Sequence, residues 1–203
     1  MAKHKGPANK RSRPGRLRIV AGKWRSRLLP VADSEGLRPT SERIRETLFN
    51  WLSNDVAGSH CLDLFAGTGA LAFEALSRGA ASATLVEQSP AVARGLEASV
   101  SLLEADNATV VCRNALDFLG GKPVQQYDLV FVDPPFAANL VAQSLQLLHS
   151  NGWLSEHALI YVEQDKQQAM PELPADWELA REKSAGNVCY RLVDAGNRET
   201  SAE

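Results

Sequence analysis

The stretch H-C-L-D-L-F-A-G-T-G, His60 to Gly69, constrains this chain more than any other. An apolar run from Cys61 to Phe65 predicts a short buried strand. Gly67 and Gly69 predict a turn, and Ala70 to Arg78 a helix opening directly from it. A strand–glycine turn–helix unit brings bare backbone N–H groups and the positive end of a helix to one edge of a parallel sheet, where small cofactors bind. G-T-G-A-L-A also fits the dinucleotide pattern G-x-G-x-x-G/A, with Glu87 about twenty residues further on. Asp63 separates the two readings. A carboxylate at the strand end repels a pyrophosphate but attracts the ammonium and sulfonium of S-adenosyl-L-methionine.

Beyond Arg78 the chain alternates strand and helix, the pattern of a doubly wound, mostly parallel α/β sheet. Strands are expected at Ser82–Glu87, Ala108–Cys112, Asp128–Asp133 and Leu159–Glu163. Helices are expected from Pro90 to Glu104, Asn114 to Leu119 and Asn139 to His149. Two last strands, Trp177–Lys183 and Val188–Val193, meet at Gly186-Asn187, which predicts a hairpin and an antiparallel edge.

The front of the chain differs in charge. Up to Arg45 it holds 13 of the 22 Lys and Arg but 3 of the 24 Asp and Glu, within a net charge of -2. A basic front on an acidic body suits a polyanionic partner. Residues 1–14 read as a disordered basic tail. Alternation from Arg16 to Leu29 about Gly22-Lys23 predicts a β-hairpin with Arg16, Arg18, Lys23, Arg25 and Arg27 as candidate phosphate contacts. Leu37-Arg38-Pro39-Thr40-Ser41 leads into a helix capped by Thr40 or Ser41, whose apolar stripe is Ile44, Leu48, Trp51 and Leu52. Arg38, Arg43 and Arg45 are left facing a ligand or solvent, each as a phosphate contact or a structural ion pair, and Thr40 joins them as a candidate RNA contact. The expected division is a tail (1–14), a basic hairpin-and-helix extension (15–53), a catalytic domain (54–194) and a polar C-terminal tail (195–203).

Cys61, Cys112 and Cys189 are far apart without a C-x-x-C, and read as reduced core residues of a cytoplasmic protein. No run approaches the ~18 apolar residues of a membrane span, and no metal site is expected.

Candidate chemistry gathers at strand ends. Glu87 can accept the ribose hydroxyls of an adenosine. Asn114, with the Ala115 backbone, can meet the adenine edge, or simply cap a helix. Asp133-Pro134-Pro135-Phe136 follows the fourth strand; the prolines hold a rigid loop, and Asp133 with the Pro134 carbonyl offers two acceptors for a planar amino group. Phe136 offers a stacking face worth about 1–3 kcal/mol per base. This arrangement fits methylation of an exocyclic amine.

Taken together, these motifs resemble the class I S-adenosylmethionine-dependent methyltransferases. R-I-V-A-G-K-W-R-S-R-L-L-P, G-L-R-P-T-S-E-R-I-R-E-T-L-F-N-W-L, L-D-L-F-A-G-T-G-A-L-A-F-E-A-L-S-R-G-A and V-F-V-D-P-P-F resemble the bacterial RsmD family of 16S ribosomal RNA guanine-N2 methyltransferases, from about Arg16 to Val193. The resemblance implies a Rossmann-like seven-stranded sheet and a monomer acting on one guanine of 16S RNA in the assembled small subunit. It places Asp63, Gly67 and Gly69 at the methionine part of the donor, Glu87 at the ribose, Asn114 with the Ala115 backbone at the adenine, Ala66, Thr68 and Gln88 among the other donor contacts, and Asp133 to Phe136 at the guanine. The residues alone leave open adenine N6 in DNA or RNA as target, a nicotinamide-dependent oxidoreductase, and a non-catalytic RNA-binding assembly factor.

Overall fold

A computed structural model describes residues 15–31, 40–135 and 140–196. The proposed 1–14 tail, Arg38, Phe136, Asn139 and nearly all of the C-terminal tail lie outside the described residues.

Seven strands form the main sheet: β3 (His60–Asp63), β4 (Ser82–Glu87), β5 (Ala108–Cys112), β6 (Tyr127–Val132), β7 (Leu154–Asp165), β8 (Glu178–Ala185) and β9 (Val188–Asp194). Their order is β5-β4-β3-β6-β7-β9-β8. Strands β3 to β7 are parallel, β9 is antiparallel to β7, and β8 pairs antiparallel with β9 at the edge. The chain steps outward from β3 to β5 and then returns to lay β6 against the other side of β3. At such a reversal the loops after β3 and β6 diverge and leave a crevice at the strand ends.

Side chains alternate between the two sheet faces. Cys61, Leu129, Phe131 and Tyr161 join a core with helices α1 (Glu42–Trp51), α2 (Ala70–Ser77) and α3 (Pro90–Leu103). Leu62, Val130, Val132, Ile160 and Val162 join the opposite core with α4 (Ala115–Leu119) and α5 (Leu140–Ser150). Ile44, Leu48 and Leu52 are buried as the helical stripe predicts, and Phe49 joins them with its ring 6.2 Å from Phe131. Ser41 caps α1, its hydroxyl accepting from the Ile44 N–H.

The N-terminal hairpin departs from the tight turn expected at Gly22-Lys23. Strands β1 (Arg16–Arg18) and β2 (Leu28–Pro30) are short, and 19–27 form a loop seated on the end of α2. The Lys23 N–H donates to the Ser77 carbonyl at 2.7 Å and the Trp24 N–H to the Ser77 hydroxyl at 2.9 Å. Gly22, at φ +82°, approaches so closely that a Cβ there would lie 1.8 Å from the Ser77 oxygen. Its glycine thus serves docking against a helix rather than a two-residue turn. Leu17, Ile19, Trp24, Leu29 and Val31 are buried in the same core as α1 and α2, and Arg16, Arg18, Lys23, Arg25 and Arg27 are exposed.

Two further expectations are corrected. Cys112 is exposed because β5 is an edge strand, whereas Cys61 and Cys189 are buried. Arg45 is 1% exposed, not turned to a ligand or solvent. Its Nη1 lies 3.2 Å from Glu74 Oε2, its Nη2 donates to the Arg18 carbonyl at 2.8 Å, and its Nε to the Thr40 carbonyl at 3.3 Å. Glu74, fully buried, also accepts from the Val20 and Ala21 N–H groups and from Arg78. One carboxylate thereby fastens the hairpin loop and α1 to α2. Burial lowers the Arg45 pKa from the ordinary arginine value, while Glu74 opposes the shift. Among the described residues, no helix is long and apolar enough to cross a membrane.

Candidate active site

The ends of β3, β6 and β7 open into one cleft of about 1160 Å³. Asp63, Ala66, Gly67, Thr68, Glu87, Gln88, Asn114, Ala115, Asp133, Pro134 and Pro135 all line it, with Thr40 and Arg43 at its α1 side. Asp63 and Asp133, which the donor-and-acceptor picture requires to share a cavity, do so. Gly69 does not line the cleft. It takes φ +73° as the residue before α2, and a Cβ on it would strike the Phe73 ring at 2.3 Å, so its part is to let the turn close.

Asp63 is 2% exposed. Burial raises its pKa to about 7, against the backbone hydrogen bonds of Ala72 and Phe65, which lower it, and with Glu87 repulsion adding to the rise. A buried carboxyl poised this way gains most when a cation enters beside it. The fit to a donor carrying ammonium and sulfonium therefore rests on the chemistry of this residue.

Glu87 bridges its strand to the glycine turn. Its Oε2 accepts from the Gly67 N–H at 3.0 Å and its Oε1 from the Ser89 N–H at 2.7 Å, so a diol would use the remaining lone pairs. Asn114 caps α4, its Oδ1 accepting from Leu116 and Asp117 N–H groups, while its Nδ2 lies 3.4 Å from Gln88 Oε1. The capping role is thus real, on a residue that also faces the cleft.

Asp133 follows β6 immediately, on the face of Phe131. The Thr40 hydroxyl donates to its Oδ2 at 3.2 Å. Desolvation pushes its pKa well above the ordinary carboxylate range, the charges of Glu163 and Asp63 add to this, and the Thr40 hydrogen bond pulls it back. Thr40 belongs to the segment that Arg45 holds by its carbonyl, so the buried Arg45–Glu74 pair reaches the site through one residue.

Glu163 is a site residue that the sequence motifs do not single out. It sits at the cleft, 6% exposed, and the Tyr161 hydroxyl donates to its Oε2 at 2.7 Å. Its pKa is raised by desolvation, with the Tyr161 hydrogen bond acting against the rise. The available signal is the one that marks Glu87 and Asp133, an acid closing an apolar strand, here in L-I-Y-V-E. Among the described residues no group of three or more His, Cys, Asp or Glu is placed to hold a metal ion.

A sheet of this order with one inserted antiparallel strand, a glycine turn after its first strand and D-P-P after the strand beside it defines a class I methyltransferase of Rossmann-like fold. The chain belongs to the family described as Conserved hypothetical protein 95, which matches residues 17–194. Ribosomal RNA small subunit methyltransferase D of Escherichia coli (strain K12) is 52% identical over 189 residues, 93% of each chain. The protein of that name from Haemophilus influenzae is 48% identical over 182 residues, covering 88% of this chain and 93% of the relative. The solved structure of yhhF from Escherichia coli superposes with a TM-score of 0.84 at 49% identity, over 90% of this chain and 99% of that one. The resemblance to RsmD enzymes read from the motifs is borne out.

Proposed function

We propose that this protein transfers a methyl group from S-adenosyl-L-methionine to the exocyclic N2 amine of one guanine in 16S ribosomal RNA, presented in the small subunit. The observation that carries the reading is the opening of Asp63 and Asp133 into one cleft from neighbouring strands. The relatives' names point to ribosomal RNA of the small subunit as the polymer.

Asp63 and the Gly67 turn would hold the methionine end of the donor, Glu87 the ribose, and Asn114 with Ala115 the adenine, with Gln88 beside them on the cleft wall. When bound, the donor supplies an electrophilic methyl group. Guanine N2 is a weak nucleophile because its lone pair is delocalised into the ring. The Asp133 carboxylate and the Pro134 carbonyl accept its two N–H hydrogens and return electron density to nitrogen. The rigid prolines keep both acceptors in place, so orientation supplies much of the rate. Asp133 is then placed to take the proton released. Arg16, Arg18, Lys23, Arg25 and Arg27 on the hairpin and Arg43 at the rim are exposed cations for the RNA phosphates. The target base must be unpaired or flipped to enter the cleft.

The test is transfer of labelled methyl to small subunits, free 16S RNA and DNA, followed by nucleoside analysis. N2-methylguanosine in the RNA of the subunit is expected; N6-methyladenine, or label in DNA, would sink the reading. Asp133→Ala should abolish transfer while calorimetry still registers S-adenosylhomocysteine binding, and near-normal turnover would remove Asp133 from the chemistry.

A further inference from the structure

Asp133 has an acidic neighbour that the transfer chemistry above does not use. Val132 pairs with Val162 across parallel β6 and β7, and the residue after each is a carboxylate, Asp133 just past the end of β6 and Glu163 within β7. Because side chains alternate, both project to the face of Phe131 and Tyr161, and adjacent strands lie only about 4.8 Å apart. Glu163 is held on that face. The Tyr161 hydroxyl donates to its Oε2, and the Tyr161 ring packs against Tyr190, which packs against Trp51 of α1. The second oxygen, Oε1, is left for a donor that enters the cleft.

Guanine supplies such a donor. Its N1–H lies beside the N2 amine on the same edge, whereas adenine has an acceptor at N1 beside its N6 amine. With the two N2 hydrogens on Asp133 and the Pro134 carbonyl, the N1–H of a bound guanine must find an acceptor or be buried unpaired. We propose that Glu163 accepts the N1–H of the target base and so selects guanine over adenine in this cleft. The proposal rests on the guanine-N2 reading and deepens it. Desolvation holds both carboxylates above their ordinary range, and the charge of Glu163 adds to the rise at Asp133. A base edge made of donors relieves that repulsion, and an edge with an acceptor at N1 aggravates it.

The discriminating substrate is 2-aminopurine, which keeps the 2-amino group but has an acceptor at N1. Small subunits are rebuilt from 16S RNA joined by splinted ligation, with either guanosine or 2-aminopurine riboside at the position the wild-type enzyme methylates. The wild type should prefer guanine by roughly 10–100-fold in kcat/KM, the range expected for one charge-assisted hydrogen bond. Glu163→Gln, whose amide can donate to an N1 acceptor, should lower guanine turnover and narrow that preference about tenfold, with S-adenosylhomocysteine affinity and melting temperature unchanged. Equal use of both bases by the wild type overturns the proposal, a readout that does not depend on the variant folding. So does a variant that slows both bases in proportion, or neither. Failure of the wild type to make N2-methylguanosine at all overturns the parent reading and this one with it.

Discussion

Replacing Glu74 by Gln tests whether one buried carboxylate fastens the basic extension to the catalytic domain. Glu74 is fully buried and Arg45 is 1% exposed, so Glu74→Gln leaves a guanidinium in the core without its counter-charge. Breaking a buried pair from one side costs about 3–5 kcal/mol. The amide also turns an N–H group toward donors that now meet oxygen, namely the Val20 and Ala21 N–H groups and the Arg45 and Arg78 side chains, at 2.8 to 3.2 Å. That penalty overlaps with the first and is not added to it. For a chain of this length, 3–5 kcal/mol corresponds to a fall in melting temperature of roughly 6–20 °C. Calorimetry and urea unfolding followed by tryptophan fluorescence both read it, since Trp24 lies in the docked loop. In the double variant Glu74→Gln with Arg45→Met the orphaned charge is gone, and stability should recover by about 1–3 kcal/mol relative to additivity. A loss below about 1 kcal/mol in the single variant, or strict additivity in the pair, would show that Glu74 is solvated and that the hairpin is held by its apolar contacts and its Ser77 hydrogen bonds.

Thr40→Val removes the hydroxyl that lowers the Asp133 pKa, so the acid limb of the rate profile should move to higher pH with kcat at the plateau little changed; an unmoved limb would refute the coupling. Asp63, raised to about 7, must be ionised to hold a cation, so the affinity for S-adenosyl-L-methionine should fall up to about tenfold per pH unit below 7 and level off above it. Calorimetry across that range checks this, and Asp63→Asn should bind weakly with the slope abolished; a flat wild-type profile would refute the assignment. In the donor-free protein the sign is opposite, because a carboxyl raised from 3.8 to about 7 favours the folded state in its neutral form and loses that contribution as pH rises between those values. Arg16→Ala with Arg18→Ala should flatten the salt dependence of RNA binding by about 0.7–0.9 log units for each phosphate no longer neutralised and leave donor binding intact, since the exposed Arg18–Glu42 pair adds little to stability. An unchanged slope would move the RNA path off the hairpin.

Most elements are legible in the sequence because their cause is local. The short apolar runs in S-A-T-L-V-E and Y-D-L-V-F-V, Pro90 opening a helix and Ser41 capping one are written in neighbouring residues, and the structure follows them within a residue or two. The strand ends carry the site for the same reason: an acid closing an apolar run stands out, as Asp63, Glu87 and Asp133 do. Glu163 carries that signal too, but lacks a flanking glycine turn or double proline to mark it. The tip of the hairpin is not legible, because Gly22 answers to Ser77 on a distant helix rather than to its own neighbours. Arg45 reads as either a phosphate contact or a structural ion pair, since nothing near it in the chain indicates that Glu74 will neutralise it.

The chain's local patterning settles which segments are strands and helices, where the glycine turn must bend and which acids stand at strand ends, because backbone sterics and side-chain period act over a few residues. Which of those acids meet is settled elsewhere. Asp63, Asp133 and Glu163 share a face because β6 returns to lie beside β3 and β7 beside β6, with a register that matches their parity. Sheet order and register are long-range agreements reached when two cores close on opposite faces, and burial then converts ordinary carboxylates into a desolvated, mutually repelling group.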